Sequence, residues 1–206
     1  HAFPLVQRGY AVTGVDRSQQ MLMRAQSKAA RLALEPAPVF SHGDVRDLDL
    51  QETFDAVAMM FAVLGYQTTN RDLAATLTAV RRHLRPAGIV VADFWYGPAV
   101  LSQRPGDRVH EHQQQHGRVL RLVQSTLDAM SHTVEVRYHV LQVDGTDVLA
   151  NAREVHTMRF LFPQELSYFA AQADLELIHL CPFLRLGEEP DERTWNVSAV
   201  MRACGE

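Results

Sequence analysis

Two nearly continuous apolar runs, with a helical pattern between them, limit the folds open to this chain more than any other feature. Residues 54–60 (FDAVAMM) and 88–94 (GIVVADF) have the composition of parallel strands that are covered on both faces. Between them Leu73 and Leu77 recur at helical spacing, and the pattern stops before Pro86. This alternation of strand and helix predicts an α/β fold with a doubly wound, mostly parallel sheet.

The first apolar strand in the sequence ends in a carboxylate. Residues 11–16 (AVTGVD) finish at Asp16, and Ser18 then caps a helix predicted from about residue 20 to residue 34. A carboxylate at the carboxyl end of a parallel strand lies where open α/β sheets bind their ligands, so Asp16 is suited to accept hydrogen bonds from ribose hydroxyls. The alternative is that Asp16 also serves only as a helix cap.

After residue 97 the pattern changes to that of an antiparallel sheet. Apolar and polar residues alternate over residues 134–140, and Asp144-Gly145 is a hairpin signal. With further strands at about 118–128 and 152–161, residues 97–161 are predicted to form a three-stranded insertion within a single domain, residues 1–206. The chain then closes with a helix at 163–173 and strands at 176–184 and 195–202.

Composition and charge limit the classes of partner and the cellular compartment that we expect for this chain. The 206 residues, 47% hydrophobic, suffice for one globular domain, and the net charge of −4 is scattered, which argues against a nucleic-acid surface. There is no membrane-span window or signal peptide, and Cys181 and Cys204 are isolated. We therefore expect a cytoplasmic protein without a metal site, a nucleic-acid partner or a membrane partner. The oligomeric state stays open, with a homodimer as one option.

The first ten residues suggest that a further strand and turn precede them. They have the pattern of a helix that ends at Gly9, a C-cap glycine, and no initiating methionine precedes it. A helix that feeds a first strand normally follows an earlier strand and turn. The sequence therefore suggests a longer polypeptide that begins roughly 40 residues earlier.

Four motifs, in their order and spacing, resemble those of the class I S-adenosylmethionine-dependent methyltransferases. They are residues 14–18 (GVDRS), 43–48 (GDVRDL), 54–66 (FDAV to FAVLGY) and 84–93 (LRPAGIVVAD). The resemblance implies S-adenosylmethionine as cofactor and a Rossmann-like sheet whose last strand is antiparallel. The family pattern also has a first strand and a glycine-rich turn ahead of the helix at residue 1, which the given residues lack.

The resemblance also implies cofactor contacts for six residues, Asp16, Arg17, Asp44, Val45, Met60 and Phe61. Asp16 would hold the ribose hydroxyls, and Asp44 would accept a hydrogen bond from the adenine amino group, with the Val45 backbone beside the ring. Met60 and Phe61 would border the methionine portion. As alternatives, Asp44 caps a turn, and Met60 and Phe61 are ordinary core residues.

The insertion is expected to cover the carboxyl ends of the strands as a substrate lid. With residues 61–66 and 93–98 (DFWYGP), it looks most like small-molecule N-methyltransferases such as the amino-sugar N,N-dimethyltransferases. Those enzymes carry a histidine on the first lid strand that faces the amine, and here the strand pattern places Gln124 at that position. The acceptor atom, a nitrogen or an oxygen of a small molecule, therefore stays open.

Other side chains are candidates for handling the acceptor. Methyl transfer from a sulfonium is an in-line displacement in which positioning supplies most of the rate, and a hydroxyl acceptor also needs a base. The candidate bases are His156, His110 and His112, each with a structural role as the alternative. The candidates for substrate contact are Gln124, Arg159 and the residues that follow strand ends, Tyr66, Trp95 and Tyr96, of which Tyr66 is also a catalytic candidate.

Some of these predicted roles have alternatives. Arg159 can pair either with an anionic substrate group or with Glu154 or Glu165. For the chain as a whole, the alternatives are a nucleotide-binding oxidoreductase, which shares the strand-Asp-helix element, and a non-catalytic domain that keeps the methyltransferase fold.

Overall fold

The computed structural model of the chain describes residues 1–115 and 117–205. It divides into two compact units, His1–Glu52 and Thr53–Glu206, and each is described by itself. The sequence predicts one domain over residues 1–206, and that stays a prediction. No helix in the described residues has both the length and the apolar character needed to cross a bilayer.

The first unit consists of two helices and a two-stranded parallel sheet. Its elements are α1 (Ala2–Gln7), β1 (Thr13–Asp16), α2 (Gln19–Leu32) and β2 (Val39–His42). The strands pair in parallel from Thr13 opposite Val39 to Asp16 opposite His42. Gly14 lets them pack closely, because a Cβ there would stand 2.9 Å from the Phe40 ring.

Local signals account for the ends of both helices. The predicted glycine stop of α1 is present, since Gly9 has φ +89 and its N–H donates to Val6 O at 2.8 Å. The Ser18 hydroxyl accepts a hydrogen bond from Met21 N–H at 3.2 Å, which confirms the predicted N-cap of α2. Within α2, Leu22 is buried, but Met21 and Leu32 are exposed, since a two-stranded sheet offers little surface to cover.

The second unit is built around one long strand, β4 (Leu84–Tyr96). One edge of β4 pairs in parallel with β3 (Phe54–Met59) and, at Trp95 and Tyr96, with the end of β8 (Asp147–Leu161). The other edge pairs antiparallel with β10 (Asn196–Ala203), which in turn pairs with β9 (Leu175–Pro182). The helices of this unit are α3 (Asn70–Arg82), α4 (Gly97–Gln103) and α5 (Pro163–Gln172), with a 3₁₀ turn at Val63–Tyr66.

The inserted segment is a meander of four strands, not three. β5 (Arg108–Gln113), β6 (Arg118–Asp128), β7 (Thr133–Asp144) and β8 pair antiparallel in sequence order. The prediction missed β5 because its sequence, RVHEHQ, is exposed throughout and lacks the apolar alternation that marks a half-buried strand.

The strand pairs divide between the predicted sheet and the meander. Outside the meander, β1 pairs with β2 and β3 with β4 in parallel, and the last strand, β10, pairs antiparallel with β4 and β9. The pairs within the meander are antiparallel, and its strand β8 continues alongside the end of β4, so the meander extends the same sheet. Buried side chains of the meander pack together in a hydrophobic cluster. The cluster includes Val123, Val134, Val136 and Phe160.

Candidate active site

In the first unit, the two parallel strands end with their acidic residues at the same edge. The Gly43 N–H donates to Asp16 O at 3.2 Å, and the His42 ring Nε2 lies 3.0 Å from Arg17 O. These contacts tie the loop after β1 to the loop after β2. The structure therefore brings together the loops that carry Asp16 and Asp44, as parallel pairing requires.

Asp16 forms a turn and keeps part of its carboxylate outside that turn. Its Oδ1 accepts a hydrogen bond from Ser18 N–H at 2.7 Å, which forms a turn just ahead of α2, whereas the N-cap of that helix is Ser18. Oδ2 takes no part in the turn, and the residue is exposed. The ribose-binding role of Asp16 stays a prediction.

Asp44 is held by arginine. Its Oδ1 accepts from the Arg46 backbone N–H and from Arg46 Nε, both at 3.0 Å, and its Oδ2 accepts from the Arg46 guanidinium at 2.7 Å. Arg17 Nε lies 3.4 Å from Oδ2. The Arg46 hydrogen bonds lower the pKa of Asp44 to about 2, against the opposing effect of partial burial. The turn alternative is thus present, and an adenine amino group would share this carboxylate with Arg46.

The other cofactor candidates of the two units differ in exposure. Arg17 is largely exposed apart from its contact with Asp44, and Val45 is half-buried in the turn. In the second unit Met60 is half-buried, whereas Phe61 is 78% exposed. The core alternative therefore fails for Phe61, and the proposed cofactor contacts of the four residues stay predictions.

The second unit contains a cavity of about 390 Å³ near the carboxyl ends of β3 and β4. Its walls come from the loop after β3, the end of β4, β7, β8 and the segment that joins β9 to β10. The lining residues are Phe61, Ala62, Tyr66, Asp93, Trp95, Tyr138, His156, Met158, Phe183 and Asn196. Five of the ten are aromatic rings of Phe, Tyr or Trp, and a single carboxylate stands among them.

The turn after β3 is strained and is braced by that carboxylate. Phe61 and Ala62 both adopt the left-handed region, with φ +67 and +56, which non-glycine residues rarely occupy. The Ala62 N–H donates to Asp93 Oδ2 at 3.0 Å. Asp93 thereby stabilises the backbone that presents Phe61 to the cavity.

Tyr66 and His156, the two catalytic candidates, contact each other across ninety residues of sequence. The Tyr66 hydroxyl lies 3.0 Å from His156 Nδ1, and His156 Nε2 lies 3.3 Å from Glu154 Oε2. Both Tyr66 and Tyr138 meet the imidazole edge to face, with ring centroids 5.9 and 5.5 Å away. Burial raises the pKa of Tyr66, with smaller contributions from Tyr138 and Glu154, so the phenol stays protonated near neutral pH.

One tautomer of His156 satisfies both contacts. With the proton on Nε2, the imidazole donates to Glu154 and Nδ1 accepts from the Tyr66 O–H. The phenol oxygen then keeps its lone pairs for a proton arriving from the cavity. The three side chains form a connected hydrogen-bonded chain from the cavity to the exposed Glu154, which we call the Tyr66–His156–Glu154 relay.

The aromatic residues at the end of β4 are placed differently from each other. Trp95 lines the cavity and packs edge to face on Trp195, with centroids 5.7 Å apart. Tyr96 is half-buried at the N-cap of α4 and is not among the lining residues; burial and the nearby Asp191 raise its pKa. Of these two predicted substrate contacts, the cavity includes Trp95.

Gln124 and Arg159 are not placed where the sequence predicted substrate contacts. Gln124 lies opposite Arg137, one position out of phase with Tyr138, so it points to the face away from the cavity. Arg159 is 4% exposed and donates to Glu165 Oε1 and to Asn70 Oδ1, both at 2.5 Å. The alternative pairing with Glu165 is therefore the one found, since the β8 register turns Arg159 toward α3 and α5.

Sequence reasoning missed several residues of the cavity. Asp93 lies near the end of a buried strand, a signal like that of Asp16, but the sequence marks it only as part of a motif. Tyr138 alternates correctly on its strand, whereas nothing local marks Phe183 or Asn196. His110 and His112, two of the candidate bases, lie exposed on β5 and are not among the lining residues.

Comparisons with known proteins agree on one family. A family model described as a methyltransferase domain matches residues 1–88. The chain is 33% identical over 89 residues to dTDP-3-amino-3,4,6-trideoxy-alpha-D-glucopyranose N,N-dimethyltransferase of Streptomyces venezuelae, a match over 43% of this chain and 35% of the relative. A second sugar N,N-dimethyltransferase, from Streptomyces fradiae, is 34% identical over 87 residues, 42% of this chain and 32% of the relative. The chain thus spans about a third of the length of the curated relatives it matches.

Solved structures match over nearly the whole chain. The CcbJ methyltransferase of Streptomyces caelestis superposes with TM-score 0.84 at 25% identity, over 99% of this chain and 79% of that one. An S-adenosylmethionine-bound amino pentose methyltransferase from Micromonospora echinaspora matches with TM-score 0.73 at 21% identity, over 94% and 74%. The predicted α/β fold is thereby confirmed. Residues 1–88 thus match a methyltransferase domain, and the fold of nearly the whole chain is similar to that of solved S-adenosylmethionine-dependent methyltransferases.

Proposed function

We propose that the protein transfers a methyl group from S-adenosylmethionine to a nitrogen or an oxygen of a small molecule bound in the cavity of the second unit. The observation that carries this proposal is the Tyr66–His156–Glu154 relay, which opens on an aromatic-lined cavity. The match of residues 1–88 to a methyltransferase domain supports the reaction class, and the sugar N,N-dimethyltransferase relatives make nitrogen the first acceptor to test.

Each unit offers residues that suit the cofactor. In the first unit, Asp16 Oδ2 and the Asp44 carboxylate are acceptors suited to ribose hydroxyls and to an adenine amino group, with Arg17 and Val45 beside them. In the second, Met60 and the exposed Phe61 ring suit the methionine portion. When bound, S-adenosylmethionine would supply an electrophilic methyl group, whose carbon bonds to the lone pair of the acceptor as its bond to sulfur breaks.

The relay handles the proton that leaves the acceptor. The Tyr66 oxygen takes that proton while its own hydrogen passes to His156 Nδ1, and Glu154 stabilises the resulting imidazolium. Because the phenol is neutral before and after, no charge develops on it. The rings of the cavity orient the acceptor, and such positioning supplies most of the rate in a displacement of this kind.

Calorimetric titration tests the cofactor assignment. We expect S-adenosylmethionine to bind and NADH not to bind, and Asp16→Ala to weaken the binding of S-adenosylmethionine by roughly 1 to 3 kcal/mol, since ribose hydroxyls lose their acceptor. Asp49→Ala, which removes another exposed carboxylate of the first unit, is the control and should leave affinity unchanged. Binding of NADH, or of neither compound, would contradict the proposal.

Substitution of the phenol tests the relay. Tyr66→Phe should lower kcat by about 10²- to 10⁴-fold, the usual contribution of a positioned proton acceptor, and leave the affinity for S-adenosylmethionine unchanged. Tyr168→Phe, an exposed tyrosine on α5, is the matched control. Equal kcat values for the two variants, measured with an amine acceptor and with its hydroxyl analogue, would remove Tyr66 from the mechanism.

A further inference from the structure

Asp93 keeps one carboxylate oxygen unpaired in the interior of the second unit. The residue is 5% exposed at the end of β4, and its Oδ2 accepts from Ala62 N–H. Its Oδ1 is buried and has no hydrogen-bond partner in the described part of the chain. A buried acceptor without a partner is costly, and more so when it is charged, so this oxygen calls for a physical explanation.

The electrostatics around Asp93 favour a positively charged neighbour. Burial raises the pKa of its carboxyl, partly offset by the backbone N–H groups of Ala62 and Phe61. The desolvation that disfavours the carboxylate would be offset by a cation beside Oδ1. Among the described residues, those that line the cavity include neither lysine nor arginine, so the protein itself brings no such cation to this wall.

The rest of the cavity also suits a cation. Phe61, Tyr66, Trp95, Tyr138 and Phe183 present aromatic rings around the single carboxylate. Ring faces attract alkylammonium groups through their quadrupole, and this attraction strengthens where water is excluded. An anionic acceptor would instead meet Asp93 and the electron-rich faces of the rings, without a cationic side chain to pair with.

We propose that the cavity selects an acceptor that carries an ammonium group, with the Asp93 carboxylate as its counter-charge and the surrounding rings around its alkyl carbons. This inference rests on the proposed function for its statement that the cavity holds the methyl acceptor. It makes Asp93 a specificity-determining residue and the acceptor a primary or secondary amine. The relay stands in the same cavity, where the amine must lose a proton.

Binding of three matched probes tests the inference without turnover. Cyclohexylammonium, cyclohexanol and cyclohexanecarboxylate share a ring and differ in charge, and Trp95, with Trp195 against it, is a fluorescent reporter in the cavity wall. We expect cyclohexylammonium to bind tightest and the carboxylate weakest. Equal binding of the alcohol and the ammonium, or tighter binding of the carboxylate, would overturn the proposal without any variant being needed.

The Asp93→Asn variant separates recognition of the ammonium group from support of the turn after β3. In Asp93→Asn the amide oxygen can still accept from Ala62 N–H, but the group that replaces Oδ1 donates and carries no charge. We expect roughly a tenfold or greater loss of cyclohexylammonium binding, the range for a charged hydrogen bond, and unchanged binding of cyclohexanol. Asp147→Asn, at the exposed start of β8, makes the same charge change and should alter neither. Equal loss of both probes would show that Asp93 is a structural brace alone.

A competition experiment assigns the ammonium site to the acceptor or to the cofactor, which has an ammonium group of its own. We expect saturating S-adenosylhomocysteine to leave cyclohexylammonium binding in place, because the two occupy different parts of the site. Displacement of the probe would indicate that Asp93 binds the ammonium group of the cofactor, and it would overturn the inference. Probe binding that depends on Asp93 in a protein that fails to bind S-adenosylmethionine would instead contradict the proposed function and leave the recognition of ammonium standing.

Discussion

At the residue scale, three carboxylates at strand ends show how surroundings give one functional group different properties. Asp16 is exposed and uses one oxygen in a turn. Asp44 accepts hydrogen bonds from Arg46 through both oxygens. Asp93 is buried with one oxygen unpaired. The first suits a hydroxyl donor and the last a cation, whereas Asp44 offers an acceptor that is already polarised by arginine.

The pKa of Asp44 gives a prediction with a defined sign. The Arg46 hydrogen bonds lower that pKa from 3.8 to about 2, so the pairing stabilises the fold above pH 3.8 and loses its effect as the pH falls through about 2. In Arg46→Gln the Asp44 pKa should rise toward 3.8, whereas Arg31→Gln, at the end of α2, should leave it unchanged. Carboxyl ¹³C NMR titration measures both, and an Asp44 pKa that stays near 2 in Arg46→Gln would contradict this account.

At the element scale, one buried arginine joins three elements of the second unit. Arg159 on β8 donates to Asn70 at the start of α3 and to Glu165 in the first turn of α5. Glu165 Oε2 also accepts from Phe162 N–H at 3.2 Å and so satisfies a donor at the helix N-terminus. The contacts hold α3 and α5 at the end of the strand that carries His156.

Removing the acidic partner should therefore be costly. Glu165→Ala leaves the Arg159 charge buried without its counter-ion, and we expect a loss of about 3 to 5 kcal/mol in the free energy of unfolding. Glu188→Ala breaks the exposed pair with Arg185 and should cost less than about 1 kcal/mol. Urea unfolding compares the two, and similar losses would mean that Arg159 finds another partner.

At the scale of the whole molecule, the second unit has a protected centre and an exposed rim. β4 pairs along both edges, and its Val90, Ala92 and Phe94 side chains are fully buried. β5 lies at one end of the sheet order, pairs with β6 alone among the described strands and is exposed throughout. Stability should therefore fall from β4 toward β5.

Hydrogen exchange measures that gradient. The backbone amides of residues 89–95 should be the slowest to exchange in the second unit, because they open only when the sheet unfolds. The amides of Arg108–Gln113 should exchange much faster, through fraying of the edge strand. Equal protection of the two segments would indicate that β5 is covered by something outside the described residues.

The sequence by itself determined the order of strands and helices and the carboxylates at strand ends. Apolar periodicity, the Ser18 cap and the Gly9 stop are local signals, and local chemistry sets them before any long-range contact forms. The motifs that indicate the family belong to the same class, since each is a short segment with its own turn chemistry. The sequence does not predict strand β5, because an exposed strand carries no such signal.

The tertiary structure alone decided which side chains meet. The hydrogen bond from Tyr66 to His156 depends on the register between β7 and β8 and on the turn after β3, which no short stretch of sequence encodes. The same register hides Arg159, and the register between β6 and β7 turns Gln124 away from the cavity. Burial near the end of β4 leaves Asp93 with an unpaired oxygen. Pairing register and burial are long-range properties, so the site becomes visible only when distant segments pack together.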